Sequence, residues 1–382
     1  MCPAILVLAS LLDSGPRARL DLGVETSVHA ASDIPGQLAP DALRGGDVQP
    51  SLTLRIGDRT FDVESRYAAR LLATPTDSGL ALRHDAMLRA RWEQSRNLTW
   101  LTDAHFNYGQ STFLFDPGEH RPFDSVEPVE PLVRDLLAAE GSLGVSYTVS
   151  RTTTAIASAG YAANGGASAD SQQLVPLLRG PQLYAALLHD VSRIDQFSTE
   201  IYGSRTTSSD GRTSFVVKAS GGWTRQLAAA TRASASLGAS VDGGDGATGS
   251  SVYPVAGAQV QHDVEARTSR IELRARAQLG PHYSLTTGDL QQRAELALSA
   301  RWVVRRDLAI RARAAAAHEL TDASRAGNLF IGALDLSYRL GMDTALRCGF
   351  ESVRQSAAPD VVAPTSTWFA FAAFTATARN FL

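Results

Sequence analysis

Between Thr268 and Leu279 apolar and polar residues alternate. Ile271, Leu273, Ala275, Ala277 and Leu279 hold the odd positions, and Arg270, Glu272, Arg274, Arg276 and Gln278 the even ones. Successive side chains of an extended chain point to opposite faces, so this segment has one apolar and one charged face. Wound as a helix, the same residues would mix around the whole circumference. The pattern predicts a strand of about twelve residues, longer than the five or six usual in soluble sheets. It recurs along the chain. Leu20, Leu22, Val24, Thr26 and Val28 alternate with Arg19, Asp21, Glu25 and Ser27. Phe61, Val63, Tyr67, Ala69 and Leu71 alternate with Asp62, Glu64, Arg66 and Arg70. Leu98, Trp100, Ala104, Phe106 and Tyr108 alternate with Thr99, Asp103, His105 and Asn107, and Leu308, Ile310, Ala312 and Ala314 with Arg311 and Arg313.

Such segments predict eighteen strands, near 18–29, 48–57, 60–72, 82–95, 97–110, 138–149, 152–163, 181–190, 195–206, 213–224, 229–241, 251–262, 268–279, 290–303, 308–318, 328–340, 343–354 and 366–380. Tight turns such as Gly57-Asp58, Ser150-Arg151, Val304 to Asp307 and Gly341-Met342 alternate with longer polar loops: 30–47, 73–81, 111–137, 163–180, 242–250, 281–289, 319–327 and 355–365. Short turns on one side and long loops on the other are the anatomy of an outer-membrane barrel, and an even strand count puts both termini on the short-turn side.

The aromatics form a second pattern. Trp92, Tyr147, Trp223, Trp302 and Tyr338 fall just before predicted tight turns, and Trp100 and Phe197 just after. Phe215, Tyr253, Phe330, Tyr108 and Phe350 fall at the long-loop ends. Two rings of aromatics around an apolar band predict interfacial girdles. At the C-terminus Trp368, Ala370, Ala372, Phe374, Ala376, Ala378 and Leu382 make one apolar face. This resembles the terminal assembly signal of outer-membrane barrels, except that Phe381 is penultimate and Leu382 last.

Composition narrows the picture. Residues 4–12 have the length and character of a signal-peptide core without a basic start or a clean cleavage site. Residues 1–17 are therefore expected to be a signal remnant or a disordered tail, and 18–382 one barrel. The longest apolar run, Pro3 to Leu12, is too short for a spanning helix, which needs about 20 residues. Two cysteines, Cys2 and Cys348, exclude a disulfide framework and a cysteine-based zinc site. A net charge of -3 gives no electrostatic case for nucleic acid. Of the 36 lysines and arginines only Lys218 is a lysine. A soluble all-β sandwich or solenoid would have to expose the charged faces and pack apolar faces poor in large residues.

If the apolar faces meet lipid, the alternate faces line a lumen. Arg66, Arg70, Arg89 and Arg91, with Asp62, Glu64 and Glu93, are expected on one wall. Arg270, Glu272, Arg274, Arg276, Arg293, Glu295, Arg301, Arg311 and Arg313 are expected on a wall roughly opposite. Such ladders either pair across strands to hold the wall or select anionic and polyhydroxylated solutes. His84-Asp85, His189-Asp190 and His262-Asp263 mimic catalytic pairs, but neighbours on a strand point to opposite faces, so no enzyme activity is expected.

Over residues 18–382 the chain resembles a Gram-negative outer-membrane β-barrel of the porin size class. In porins the loop of third ordinal position folds inward. The resemblance therefore implies that loop 111–137, with Asp116, Glu119, Asp124, Glu127, Glu130 and Asp135 against Arg121 and Arg134, constricts the lumen, unless it lies exposed at the cell surface. Glu127 to Glu140 is expected to form a short helix. In length and strand count the chain is similar to 18-stranded barrels that accompany periplasmic polysaccharide-export proteins. That implies an outer-membrane location, lipid and saccharide partners and no cofactor. Three functions stay open: a pore for outgoing polysaccharide, a diffusion porin for small anions or sugars, and a non-conducting structural or adhesive barrel.

Overall fold

A computed structural model of the protein describes residues 17–31, 45–73, 80–109, 135–244, 251–266, 269–283, 290–320, 328–355 and 365–381. Eighteen strands account for most of them: β1 (Arg17–Ala31), β2 (Gly45–Gly57), β3 (Phe61–Ala73), β4 (Leu80–Glu93), β5 (Leu98–Gly109), β6 (Leu136–Ser150), β7 (Thr153–Gly166), β8 (Leu178–Asp190), β9 (Asp195–Ser208), β10 (Thr213–Ala228), β11 (Thr231–Gly244), β12 (Ser251–Glu265), β13 (Arg270–Tyr283), β14 (Leu290–Arg305), β15 (Leu308–Glu319), β16 (Asn328–Arg339), β17 (Thr344–Gln355) and β18 (Thr365–Phe381). Each pairs antiparallel with its sequence neighbours, and β1 closes the ring by pairing β18 from Arg19↔Phe381 to Ala31↔Phe369. Closure matters because lipid offers no hydrogen bonds to an open strand edge. The shortest strands have 12 residues and the longest 17, against the roughly 9–11 that a tilted strand needs to cross a bilayer. Among the described residues no helix is long and apolar enough to cross a membrane.

Both termini of the ring lie at the short-turn end, with turns at 58–60, 94–97, 151–152, 191–194, 229–230, 306–307 and 340–343. At the first of these Asp58 Oδ1 accepts from the Thr60 N–H at 2.6 Å, the Phe61 N–H at 2.8 Å and the Thr60 hydroxyl at 2.9 Å. These donors hold its carboxyl below the usual carboxylate range. The opposite end carries a helix, α1 (Ala169–Leu174), in the connection from β7 to β8. Ser168 caps it by accepting from the Ser171 N–H at 3.3 Å, and buried Val175 follows its last turn. The helix expected over Glu127 to Glu140 is not formed at its second half, because Leu136 already starts β6. The remainder of that segment lies outside the described residues, as does the expected signal or tail over 1–17 except Arg17, which already starts β1.

Large apolar side chains lie exposed on one parity of most strands: Leu22, Leu52, Leu187, Leu237 at 73% and Leu334 among them. This is the outward face. Trp92, Tyr147, Phe197, Trp223 and Trp302 are exposed on it near the short turns, and Tyr108, Phe215, Phe330 and Phe350 near the loop end. The indole N–H of Trp100 donates to Gln94 Oε1 at 2.8 Å and that of Trp223 to Asp195 Oδ1 at 3.1 Å. The Arg225 guanidinium lies 5.9 Å from the Trp223 ring. An apolar ring body with a polar tip near the turns is what an interface favours. Tyr253 departs from the expected girdle. It stands opposite Ser240 on the inward parity, and its neighbour Val252 takes the outward position.

Candidate functional site: the barrel lumen

The inward parity divides the ring into two arcs. From β13 through β18 and β1 to β5 it carries arginines interleaved with carboxylates; from β6 to β12 it is mostly serine, glycine, alanine, glutamine and tyrosine. The two arginine walls read from the sequence are the flanks of the first arc. The strands between them also bring Asp21, Glu25, Asp47, Arg55, Asp335, Arg347 and Glu351 to the lumen, so a continuous charged surface joins the two facing walls.

Cross-strand register makes some of the contacts, and same-strand neighbours two residues apart make others. In an antiparallel ladder, opposite residues on one face have Cβ atoms about 5 Å apart, within reach of an ion pair. Glu64 stands opposite Arg55 and Arg89, and pairs with Arg55 at 3.0 Å. Arg89 pairs with Asp103 at 2.9 Å and Arg91 with Glu93 at 2.6 Å. On the other flank Arg270 reaches Glu272 at 3.2 Å, Arg301 reaches the same carboxylate at 3.8 Å, and Arg293 pairs with Glu295 at 2.7 Å. Arg276 bonds Gln278, Arg274 stands opposite Gln261 and Ser299, and Arg347 bonds Asp335 at 3.0 Å. Arg70 and Asp47 meet at 2.8 Å with side chains 6% and 1% exposed, and the Ser27 hydroxyl donates to the same carboxylate. Arg313 is also buried. Asp116, Glu119, Asp124, Glu127 and Glu130 lie outside the described residues.

At the short-turn mouth the charged arc lines a cavity of about 550 Å³. Eight arginines and five carboxylates border it, Arg66 and Arg311 included. A second cavity of about 460 Å³ lies where the arcs meet, bordered by Asp62, Arg89, Arg91 and Asp103 on one side and Ser142, Ser158 and Tyr184 on the other. The loop end of the lumen is different. Inward-facing Ala297, Ala315, Ala317, Leu329, Ile331, Val353 and Phe369 are all buried there. The sequence reading missed this band. Its trace is that both parities turn apolar at Ala314–Ala317 and around Trp368–Phe374, where alternation gives no face.

The small arc approaches itself closely. A Cβ on Gly180 would lie 1.7 Å from the Arg205 carbonyl oxygen, and one on Gly238 2.0 Å from that of Ala219, so only glycine fits. The three His-Asp neighbours are split as expected. His84 bonds outward to Tyr67 at 2.7 Å, His189 to Thr153 at 3.0 Å and His262 to Thr231 at 2.7 Å. Asp85 instead faces inward and meets His105 of β5 at 3.1 Å, a cross-strand pair that sequence adjacency concealed. Among the described residues no group of three His, Cys, Asp or Glu is placed to hold a metal ion.

Comparison with known proteins agrees with this architecture. The outer membrane protein OpdK of Pseudomonas aeruginosa superimposes with a TM-score of 0.50 at 12% identity, over 95% of this chain and 99% of its own. OccAB4 of Acinetobacter baumannii gives 0.51 at 10% identity over 95% and 98%, and OccK3 of P. aeruginosa gives 0.51 at 12% over 95% and 96%. At such identities the likeness is one of fold: a closed 18-stranded barrel of the bacterial outer membrane. No curated protein sequence matches the chain. The protein is an 18-stranded β-barrel of the bacterial outer membrane. The profile of the EpsX exopolysaccharide export family matches residues 12–380, so the chain belongs to that family.

Proposed function

We propose that this barrel carries an exopolysaccharide outward, taking it in at the short-turn end, which faces the periplasm in outer-membrane barrels. The contrast along the lumen axis carries this reading. The short-turn mouth holds a cavity of about 550 Å³ lined by charged side chains, whereas Leu329, Ile331, Val353 and Phe369 are buried toward the loop end. A diffusion porin needs an open aqueous path through 16 to 18 strands. A lumen that is charged and open at the mouth and apolar and packed along one wall beyond it suits a polymer delivered from one side and released by rearrangement. The export family supports the same direction. A periplasmic polysaccharide-export protein is the partner this reading calls for, to present the polymer and shift the tight end.

In this scheme Arg66, Arg89, Arg91, Arg270, Arg274, Arg276, Arg311 and Arg313 line the path, and acidic loop 111–137 constricts it. The second reading, a diffusion porin for small anions, is favoured by the arginine surplus at the mouth. Deleting the gene should remove polysaccharide from the cell surface and trap it in the periplasm; unchanged surface polysaccharide overturns the proposal. In planar bilayers the intact barrel should conduct little and excision of 116–135 should open it. A wide-open intact barrel favours the porin.

A further inference from the structure

Elsewhere in the lumen charge is balanced locally by close ion pairs such as Arg70–Asp47, Arg293–Glu295 and Arg89–Asp103. The short-turn mouth is not balanced. Its cavity is bordered by eight arginines and five carboxylates, a surplus of three positive charges in about 550 Å³. Four of those carboxylates already have arginine neighbours: Asp21 at 2.8 Å from Arg19, Glu64 at 3.0 Å from Arg55, Asp335 at 3.0 Å from Arg347, and Asp307 at 3.7 Å from Arg305. The arginines come from β2, β3, β14, β15, β16, β17 and the turn between β14 and β15, so the surplus spans the wall rather than one strand. An arginine fork matches a carboxylate in two parallel hydrogen bonds, and in a wet mouth each contact is weak enough to exchange. Weak contacts repeated around a rim hold a polymer without trapping it.

We propose that the short-turn mouth is an intake site for an acidic polysaccharide, whose repeated carboxylates meet Arg55, Arg66, Arg301, Arg311, Arg339 and Arg347. The inference rests on the export reading and specifies its substrate class. The uncharged faces of the polymer pass along the hydroxyl-rich arc, where Ser142, Ser158 and Tyr184 border the second cavity. Neutral glycans lack the group that the rim recognises.

The test is binding of fluorescent oligogalacturonate and of a malto-oligosaccharide of equal length to the folded, full-length barrel in detergent. This needs no open pore. The acidic oligomer should bind about tenfold more tightly at low salt, and raising salt from about 0.05 M to about 0.5 M should erase most of that preference. The triple variant Arg301→Gln, Arg311→Gln, Arg347→Gln should lose the preference while keeping heat-modifiable mobility; the corresponding lysine variant should keep it. Equal affinity for the two oligomers overturns the inference, as does an unchanged preference in the glutamine variant. Monomeric galacturonate competing as well as the oligomer at equal carboxylate concentration also overturns it, in favour of a small-anion site. Failure here leaves the gene-deletion phenotype intact, whereas failure of the export reading appears as unchanged surface polysaccharide whatever the binding result.

Discussion

The two arcs of the lumen are built from opposite materials. From β13 round to β5 the wall is made of long charged side chains that spend much of their charge on one another, as Arg70 does on Asp47 and Arg293 on Glu295. From β6 to β12 it is made of residues small enough to bring backbones together, as Gly180 and Gly238 do. One arc therefore tolerates loss of side chains poorly where pairs are buried. The other tolerates gain of side chains poorly where strands touch. A uniform polar lining would show neither sensitivity.

The largest effect is expected at the buried pair. Asp47→Ala leaves the Arg70 guanidinium buried beside the missing carboxylate, and should destabilise the barrel by about 3–5 kcal/mol in urea unfolding from lipid vesicles. Replacing both partners, Asp47→Leu with Arg70→Met, should recover most of the loss. A single-variant cost near zero would mean that the charged arc is not held by its pairs. Next comes the small arc. Gly238→Leu should cost about 1–3 kcal/mol or block assembly, read as loss of the heat-modifiable band. Gly332→Leu, where a Cβ meets nothing within 4 Å, should assemble normally. Equal outcomes at the two glycines would erase the contrast.

Selectivity is a smaller effect. With 116–135 excised, the channel should prefer anions. Arg274→Gln, Arg311→Gln and Arg313→Gln together should weaken that preference more at 0.1 M than at 1 M salt, where the Debye length falls from about 10 Å to about 3 Å. If the substitutions instead prevent assembly, these arginines hold the wall and do not select. The smallest effect belongs to an exposed pair: Arg89→Ala, which loses Asp103, should change stability by less than about 1 kcal/mol. A larger loss would place that flank in the same class as the buried pair.

Much of this was legible along the chain, and the illegible parts have physical causes. Ile271 and Leu273 against Arg270 and Glu272 define a strand and both its faces, because side-chain direction alternates with the backbone itself. The alternation fails where both parities are apolar, at Ala314–Ala317 and in β18. There the buried inward band of Ala315, Ala317 and Phe369 went unread. Tyr253 was placed in a girdle from its position near a strand end, but position along a strand does not decide the face; register with Ser240 does. The pair of Asp85 and His105 was invisible because its members are twenty residues apart.

Eighteen amphipathic strands, their outward and inward faces and the aromatic rings were therefore determined by the sequence itself, since each follows from the pleat of a single strand. The continuity of the charged arc, the arginine surplus at the mouth and the buried band at the loop end were decided only by ring closure and strand register. Closure sets β1 against β18, so that the Thr375 hydroxyl reaches Glu25 Oε2 at 3.3 Å across nearly the whole length of the chain. A local period specifies what each strand presents, whereas ring order and register decide which charges become neighbours.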